Sequence, residues 1–376
     1  MQISRRRRLL FLALILAAAA GFAEVAGAVL YFVTLAEPLQ EAVELALGTG
    51  STWAPGSAAR YRRHPYLNYV GDPEFALPDG TALFNPHGFR DTGVDWLGER
   101  AGDGVRLVAI GGSTTFGFLF EDADQVWPSL LARRLREATG RPVEALNAGL
   151  PGYTTHNLLA FCGFWLPELG ADAVVVHTGF NDAFATVFPD EGGPTGDRFH
   201  RPFALRPVPG PLQAVLRRSY LARMLSLGWL ERRGYLGGDL VPATIQPRPP
   251  EPELVRFAGA ASGRYFERNL GTIVRLIRAA GAVPVIATIP MDPERERKSG
   301  SYYGAAFDAA RRNNRLAAAV AAQHGVAFVD LYAEVRDPAG FVDPIHVNQA
   351  GMRAKADALF PVLLPLLGGG GPKPSP

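Results

Sequence analysis

The segment that decides the fold is Val108-Ala-Ile-Gly-Gly-Ser-Thr-Thr-Phe-Gly117, where an apolar stretch ends at a glycine pair followed by Ser113. Residues 105–110 are mostly apolar on both alternating faces, which is typical of a parallel strand covered by helices on each side. In open α/β sheets, ligands bind beyond the carboxyl ends of the strands, so we expect Ser113 to lie at that edge. Taken alone, Ser113 is as consistent with a helix N-cap as with a nucleophile.

Downstream of this segment, predicted strands alternate with predicted helices. The strands are expected at 106–110, 143–147, 173–178, 283–289 and 326–331. The helices between and after them are expected at 127–139, 155–166, 265–280, 303–324 and 350–367. This order predicts an α/β fold of three layers, a doubly wound parallel sheet with helices on both faces.

Composition removes several classes of function. The chain has 376 residues, 48% of them hydrophobic, and a formal net charge of +2, so no basic surface for nucleic acid is expected. Its single cysteine, Cys162, excludes an internal disulfide and a cysteine-based zinc site. No cluster of histidine and carboxylate residues has ligand spacing, so we expect neither a metal nor a cofactor.

The N-terminus predicts a membrane anchor. Residues 1–8 include four consecutive arginines and residues 9–36 form a long apolar run, which is enough to span a bilayer with the arginines in the cytoplasm. A signal peptide cleaved at Ala26-Gly-Ala28 is the alternative, but the apolar run continues past that site. Both interpretations make the rest of the chain extracytoplasmic, in the periplasm or at the cell surface, and a cleaved chain would be secreted. Glu24 argues against the anchor, because a carboxylate in lipid is costly.

The remaining regions are predicted from composition. Residues 37–104 are rich in proline, glycine and aromatic residues and are expected to form an irregular N-terminal collar. The main domain is expected at 105–367, with a Pro-rich insertion at about 184–262 that includes a helical segment at 212–232. The insertion is interpreted either as a lid or as a surface excursion. Residues 368–376 are expected to form a disordered tail.

Three further loops follow predicted strands and present polar groups at the same edge as Ser113. The first is Asn147-Ala-Gly-Leu-Pro-Gly152, whose glycines leave backbone N–H groups open to a ligand. The second, His177-Thr-Gly-Phe-Asn181, presents a side-chain amide, and the third is Asp343-Pro-Ile-His346. His177 itself is interpreted as a hydrogen-bonded core residue, and the adjacent Asp182 as a residue that stabilises the loop.

These four blocks, in this order, resemble those of SGNH (GDSL-type) hydrolases over residues 105–367, and the chain resembles a membrane-anchored member. The resemblance implies that Ser113 is the nucleophile and that Asp343 and His346 complete a Ser-His-Asp triad. It also implies an oxyanion hole made of the Ser113 N–H, Gly152 and Asn181. One position departs from the family pattern, because Gly112 stands where the family has an aspartate that helps to stabilise the nucleophile loop.

The resemblance implies an extracytoplasmic serine esterase that hydrolyses acyl or acetyl esters of a lipid, a glycan or a small molecule. An O-acyltransferase that moves the acyl group to a glycan hydroxyl would use the same residues. A non-catalytic envelope module that keeps the fold as a binding surface is a third interpretation, from another class. The sequence predicts contact with a membrane through the N-terminal helix and no nucleic-acid partner, and it does not predict the oligomeric state.

Overall fold

A computed structural model describes residues 5–35, 40, 43, 47, 61–77, 79–100, 102–187, 210–232, 263–298 and 301–368. The chain divides into two compact units, which are described separately below. The sheet unit comprises residues 64–200 and 249–376, and the N-terminal unit comprises residues 1–63 and 201–248. Pro211 of the predicted insertion is described, whereas its other prolines and residues 369–376 of the predicted tail lie outside the described residues.

The centre of the sheet unit is a parallel sheet whose strand order is β4-β3-β5-β6-β7. The first strand of this sheet, β3, lies between the second and the third, which is the flavodoxin-like order and confirms the predicted fold class. The carboxyl ends of β3 and its two neighbours therefore meet where the order reverses, the usual ligand position in such sheets. The strands are β1 (Tyr61–His64), β2 (Asn68–Gly71), β3 (Val105–Gly111), β4 (Val143–Gly149), β5 (Ala173–His177), β6 (Val283–Ala287) and β7 (Ala327–Val329).

Helices pack on the sheet where the apolar periodicity predicts them, and their ends differ from the predicted ends by at most two residues. Within the described ranges the helices are α1 (Arg5–Thr34), α2 (Ser113–Phe116), α3 (Trp127–Thr139), α4 (Thr155–Phe164), α5 (Leu166–Leu169), α6 (Phe180–Val187), α7 (Gly210–Arg218), α8 (Tyr220–Arg232), α9 (Arg264–Ala279), α10 (Pro293–Lys298), α11 (Ser301–His324), α12 (Leu331–Glu334) and α13 (Gln349–Gly368).

The core of the sheet unit explains these elements. Strands β3 and β5 are buried along their whole length, as expected for strands covered on both faces. On one face, α3 and α13 pack leucines against the strands, among them Leu131, Leu135 and Leu359, which are fully buried. Each buried leucine contributes roughly 1.5–3 kcal/mol by leaving water.

Two predicted strands run two residues past the observed ends, and polar side chains explain why. The prediction for β6 to reach residue 289 is wrong, because Thr288 receives a hydrogen bond from the backbone of Tyr332 and donates one to Asp330. The prediction for β7 to reach residue 331 is also wrong, because Asp330 is the N-cap of α12 and accepts from the Ala333 N–H. A capping aspartate ends the strand, since the residue after it is already helical.

The N-terminal unit consists of α1, α7 and α8, together with isolated described residues after α1. Helix α1 has 30 residues and a window of mean hydropathy 2.3, so it is long and apolar enough to cross a membrane. The helical segment predicted at 212–232 is divided at Ser219 into α7 and α8. Buried Tyr31, Leu216 and Leu230 share one apolar cluster in this unit.

Candidate active site

The turn that carries Ser113, the predicted nucleophile, joins β3 to α2 within two residues, and we call it the nucleophile turn. A side chain on Gly111 would place its Cβ 2.2 Å from the His177 carbonyl oxygen and 2.3 Å from Thr115 Oγ1, so this position requires glycine. Gly112 is the N-cap of α2 and Ser113 is its first residue, and no side chain caps the helix. The Ser113 hydroxyl is therefore not used as an N-cap, and its partner lies elsewhere.

That partner is His346, whose Nε2 lies 2.8 Å from Ser113 Oγ. The other ring nitrogen, Nδ1, lies 2.6 Å from Asp343 Oδ2. Because a carboxylate only accepts, Nδ1–H donates to Asp343 and Nε2 is left to accept the hydrogen of the Ser113 hydroxyl. The structure thus brings the three residues predicted as a triad into one hydrogen-bonded chain.

Asp343 is held by its own turn. Its Oδ1 accepts from the backbone N–H of Ile345 at 2.9 Å and of His346 at 2.7 Å. Partial burial alone would raise the pKa of Asp343, but the hydrogen bond and positive charge of His346 outweigh it, so the pKa lies below the usual value. The carboxylate is consequently ionised at neutral pH.

Asn181 lies beside the nucleophile turn, and Gly152 lies in the turn that follows the neighbouring strand β4. Gly152 is exposed and has a φ of +84°, a conformation that favours glycine, in the turn after β4. Asn181, in the first turn of α6, donates through Nδ2 to the Tyr153 carbonyl oxygen at 2.8 Å. The same Nδ2 lies 2.6 Å from the position that a Cβ on residue 112 would occupy, so the amide is next to the backbone that carries Ser113.

The sequence pattern of the GDSL-like lipase/acylhydrolase family matches residues 109–354, which is more than half of the chain. The chain belongs to this family. The family is one of lipases and acylhydrolases, so the protein is a serine hydrolase that acts on ester bonds, as the sequence predicts. No curated protein is similar enough to count as a relative.

Solved structures share the architecture at low identity. TesA has 20% identity and a TM-score of 0.42, and the alignment covers 69% of this chain and 99% of TesA. A lipase/acylhydrolase from Enterococcus faecalis has 18% identity and a TM-score of 0.42, with 69% and 96% of the two chains covered. A variant acetyl xylan esterase from Geobacillus stearothermophilus has 15% identity and a TM-score of 0.40, with 70% and 94% covered. Likeness at this level carries no argument about the site.

The departure of this GDSL-like hydrolase at Gly112 has a steric reason. Any side chain there would meet the Asn181 amide at 2.6 Å, so the space that an aspartate would need is occupied. The nucleophile helix α2 is stabilised from other directions instead. Asn147 donates through Nδ2 to the Thr115 carbonyl oxygen at 2.9 Å, and Lys355 donates through Nζ to the Thr114 carbonyl oxygen at 3.2 Å. These groups satisfy carbonyls that a four-residue helix cannot pair internally.

Lys355 is a buried group that sequence reasoning missed, whereas buried His177 confirms the prediction of a hydrogen-bonded core residue. Lys355 is 0% exposed on α13, and burial lowers the pKa of its ammonium group to about 7. His177 Nδ1 lies 2.9 Å from Thr115 Oγ1, and burial followed by the charge of Lys355 lowers the pKa of His177 well below its usual value. His177 is therefore a neutral, hydrogen-bonded core residue under the nucleophile turn. The apolar context of α13 gives no signal that its lysine points inward.

The loop that carries Asn181 is held by its neighbours. Asp182 accepts from the Thr155 N–H at 3.0 Å and from the Thr155 hydroxyl at 2.5 Å. Burial raises the pKa of Asp182 despite these bonds. Asn313 donates to the Gly179 carbonyl oxygen at 2.8 Å, so the turn before Asn181 is fixed from α11 as well.

Within the part of the chain that the structure describes, no group of three histidine, cysteine or carboxylate residues is placed to hold a metal ion. Cys162 is buried, and burial raises the pKa of its thiol to about 12. The groups assembled at the strand ends are a hydroxyl, an imidazole, a carboxylate, a side-chain amide and an exposed glycine turn. This set suits acyl transfer through a serine.

Proposed function

We propose that this GDSL-like hydrolase cleaves carboxylic esters through an acyl-enzyme formed on Ser113. The observation that carries the proposal is the hydrogen-bonded chain from Asp343 to His346 to Ser113, with contacts of 2.6 and 2.8 Å. A serine hydroxyl is a weak nucleophile until an adjacent base accepts its proton. His346 is that base, and Asp343 fixes its tautomer and stabilises its charged form.

The reaction proceeds in two halves. Ser113 Oγ attacks the ester carbonyl carbon while its proton moves to His346 Nε2, and a tetrahedral oxyanion forms. The bond to the alcohol oxygen then breaks, Nε2 returns the proton to that oxygen, and the acyl group remains on Oγ. Water attacks the acyl group as Nε2 takes one of its protons, and collapse of the second intermediate releases the carboxylic acid and restores the Ser113 hydroxyl.

The oxyanion is stabilised by the N–H groups of Ser113 and Gly152 and by the Asn181 amide. Asn181 Nδ2 carries two hydrogens, and its bond to the Tyr153 carbonyl oxygen uses one of them. The second is available to a ligand beside the nucleophile. Removal of one such donor typically costs about 10²–10³ in kcat, so we expect Asn181→Ala to lower kcat by about that factor with the fold intact.

The proposed location is extracytoplasmic, with α1 as a membrane anchor. The four arginines at 5–8 precede the apolar part of α1, and basic residues next to a spanning helix favour the cytoplasmic side. The substrate class is an ester of a lipid, a glycan or a small molecule. Transfer of the acyl group to a sugar hydroxyl would differ only in the acceptor.

Labelling with a fluorophosphonate probe tests the nucleophile in full-length protein purified with its N-terminal helix. We expect labelling of the wild type and of a control variant, Ser129→Ala, which removes a hydroxyl from α3. Ser113→Ala is expected to lose both labelling and hydrolysis of a short-chain aryl ester. An unlabelled wild type, or labelling that survives in Ser113→Ala, would contradict the proposal. Adding an oligosaccharide to the same assay separates transfer from hydrolysis, because transfer yields acylated sugar.

A further inference from the structure

Glu24 lies at an energetically unfavourable position if α1 crosses a membrane. At about 1.5 Å per residue it lies about 22 Å along the helix from Leu9, the first apolar residue, within the roughly 30 Å hydrocarbon layer. A carboxylate at that depth needs polar partners. The structure supplies them from a distant part of the chain.

The partners of Glu24 are at the start of α8. Ser219 Oγ donates to Glu24 Oε2 at 2.7 Å, and the Tyr220 backbone N–H donates to Oε1. Ser219 Oγ in turn accepts from the Ala222 N–H at 3.0 Å, as an N-cap residue does. A negative charge at a helix N-terminus also interacts favourably with the helix dipole. Glu24 therefore completes the cap of α8.

One turn later, Gly27 permits the two helices to touch through their backbones. A Cβ at Gly27 would lie 2.6 Å from both Cα and N of Leu221, so no side chain fits there. Small residues at such crossings are characteristic of helices that associate inside membranes. Gly21, six residues earlier, would meet nothing within 4 Å.

The same face of α1 continues to Tyr31, which is 0% exposed. Its ring lies 5.3 Å from that of Tyr220, and the Arg223 guanidinium lies 5.6 Å from the Tyr31 ring centre. Residues 24, 27 and 31 follow the i, i+3, i+7 spacing of one helix face. By contrast, the large apolar side chains between Leu9 and Phe22 are 49–78% exposed in this unit.

We propose that α7 and α8 are a membrane-seated partner of α1, held to it by Glu24, Gly27 and Tyr31, and that α1 is retained in the folded protein. Cleavage after Ala28 would remove Glu24 and Gly27 and leave the Tyr220 N–H at the start of α8 without the carboxylate that accepts from it. Two outward side chains suit the outer leaflet, since Leu225 is 79% exposed on α8 and Val215 is 54% exposed on α7, and the exposed Arg217 and Arg218 suit the headgroup region. In this proposal residues 210–232 belong to the anchor and are not a lid.

A single-cysteine experiment tests this in proteoliposomes. Buried Cys162, whose thiol pKa is raised to about 12, is expected to stay silent toward a water-soluble maleimide. The reaction rate of Leu225→Cys with the maleimide measures whether water reaches the exposed face of α8. Leu97→Cys is the control, because Leu97 is 52% exposed in the sheet unit. We expect Leu225→Cys to react at least about tenfold more slowly, because hydrocarbon excludes both water and thiolate. Adding Gly27→Leu is expected to remove this protection, whereas Gly21→Leu is expected to leave it unchanged.

Equal maleimide reaction rates for Leu225→Cys and Leu97→Cys would overturn the proposal. Slow reaction of Leu225→Cys in the presence of Gly27→Leu would overturn it as well. Intact-mass measurement of the membrane-extracted wild type is a second test, with residues 1–28 expected to be present. A chain that begins after Ala28 would also refute the proposal. Hydrolysis of a soluble ester, measured on every variant, separates these outcomes from failure of the catalytic proposal, since none of the substitutions touches Ser113 or its partners.

Discussion

Introducing a side chain at Gly112 is expected to lower kcat and to leave the protein folded. Gly112 has a φ of −93°, which alanine adopts without strain, so Gly112→Ala introduces no backbone problem. Its new Cβ would, however, lie 2.6 Å from Asn181 Nδ2. The amide is the end of a side chain, so it moves more easily than the backbone of β3 and α2.

The size of the effect follows from how far the amide must move. Ordinary contact begins at 3.4 Å, so Nδ2 has to retreat by about 0.8 Å and strain its 2.8 Å bond to the Tyr153 carbonyl oxygen. Weakening one such bond costs about 1 kcal/mol of stability, or a few degrees in Tm. A displacement of about 1 Å in a catalytic group costs about 10² in rate, close to the loss of an oxyanion donor.

Kinetics on an aryl ester and thermal unfolding, measured on the same preparations, check this prediction. Gly112→Ala is expected to lower kcat about 10²-fold, and Gly163→Ala, where a Cβ would meet nothing within 4 Å, is the matched control. In the Asn181→Ala background, Gly112→Ala should change kcat little, because the group it displaces is already absent. Wild-type kcat in Gly112→Ala, or a full additive loss in the double variant, would refute the reasoning.

Three further predictions concern the groups around the site. Asp343→Asn is expected to lower kcat by about four orders of magnitude, because the asparagine favours the wrong imidazole tautomer; near wild-type turnover in steady-state assays would remove Asp343 from the mechanism. Lys355→Met is expected to change how the free energy of unfolding depends on pH. The pKa of Lys355 is about 7 in the folded state and about 10.4 in the unfolded state, so between these values the unfolded chain binds more protons. As the pH rises from 7 to 10, the free energy of unfolding of the wild type should therefore increase by about 1.4 kcal/mol per pH unit relative to the variant. Urea unfolding at several pH values measures this difference. If the free energies of unfolding of the two proteins changed equally with pH, the folded-state pKa of Lys355 would not be lowered by burial. Tyr69 donates to the Pro151 carbonyl oxygen beside Gly152, so Tyr69→Phe is expected to lower kcat about tenfold, with the exposed Tyr66→Phe unchanged; equal rates would show that the turn holds without this bond.

The sequence was most informative where local pattern and topology coincide. The apolar stretch before Gly111 predicts a buried parallel strand, and every such strand ends at the same edge. For that reason Ser113, Asn181 and His346 were expected near one another although most of the chain separates them. The structure places the first and last of these 2.8 Å apart.

The features that sequence reasoning missed depend on long-range contacts. Nothing local distinguishes the inward-pointing Lys355 from a surface lysine, since its role is set by the Thr114 carbonyl oxygen 241 positions away. The end of β7 depends on a capping bond at Asp330, which the apolar pattern does not contain. The hydrogen bond between Ser219 and Glu24 could not be predicted from local sequence either, because the two residues are separated by 195 positions.

The proposed nucleophile, Ser113, and its base, His346, lie 233 positions apart in the sequence of the sheet unit. A ribosome therefore completes the nucleophile turn long before it completes the turn that activates it. In the proposed mechanism, Ser113 has no base until α13 and the preceding Asp343–His346 turn have emerged and docked, so the growing chain would not hydrolyse esters before then. Activity in this arrangement reports on completed synthesis and folding, and a chain truncated before residue 343 would be inert even if its first strands had folded.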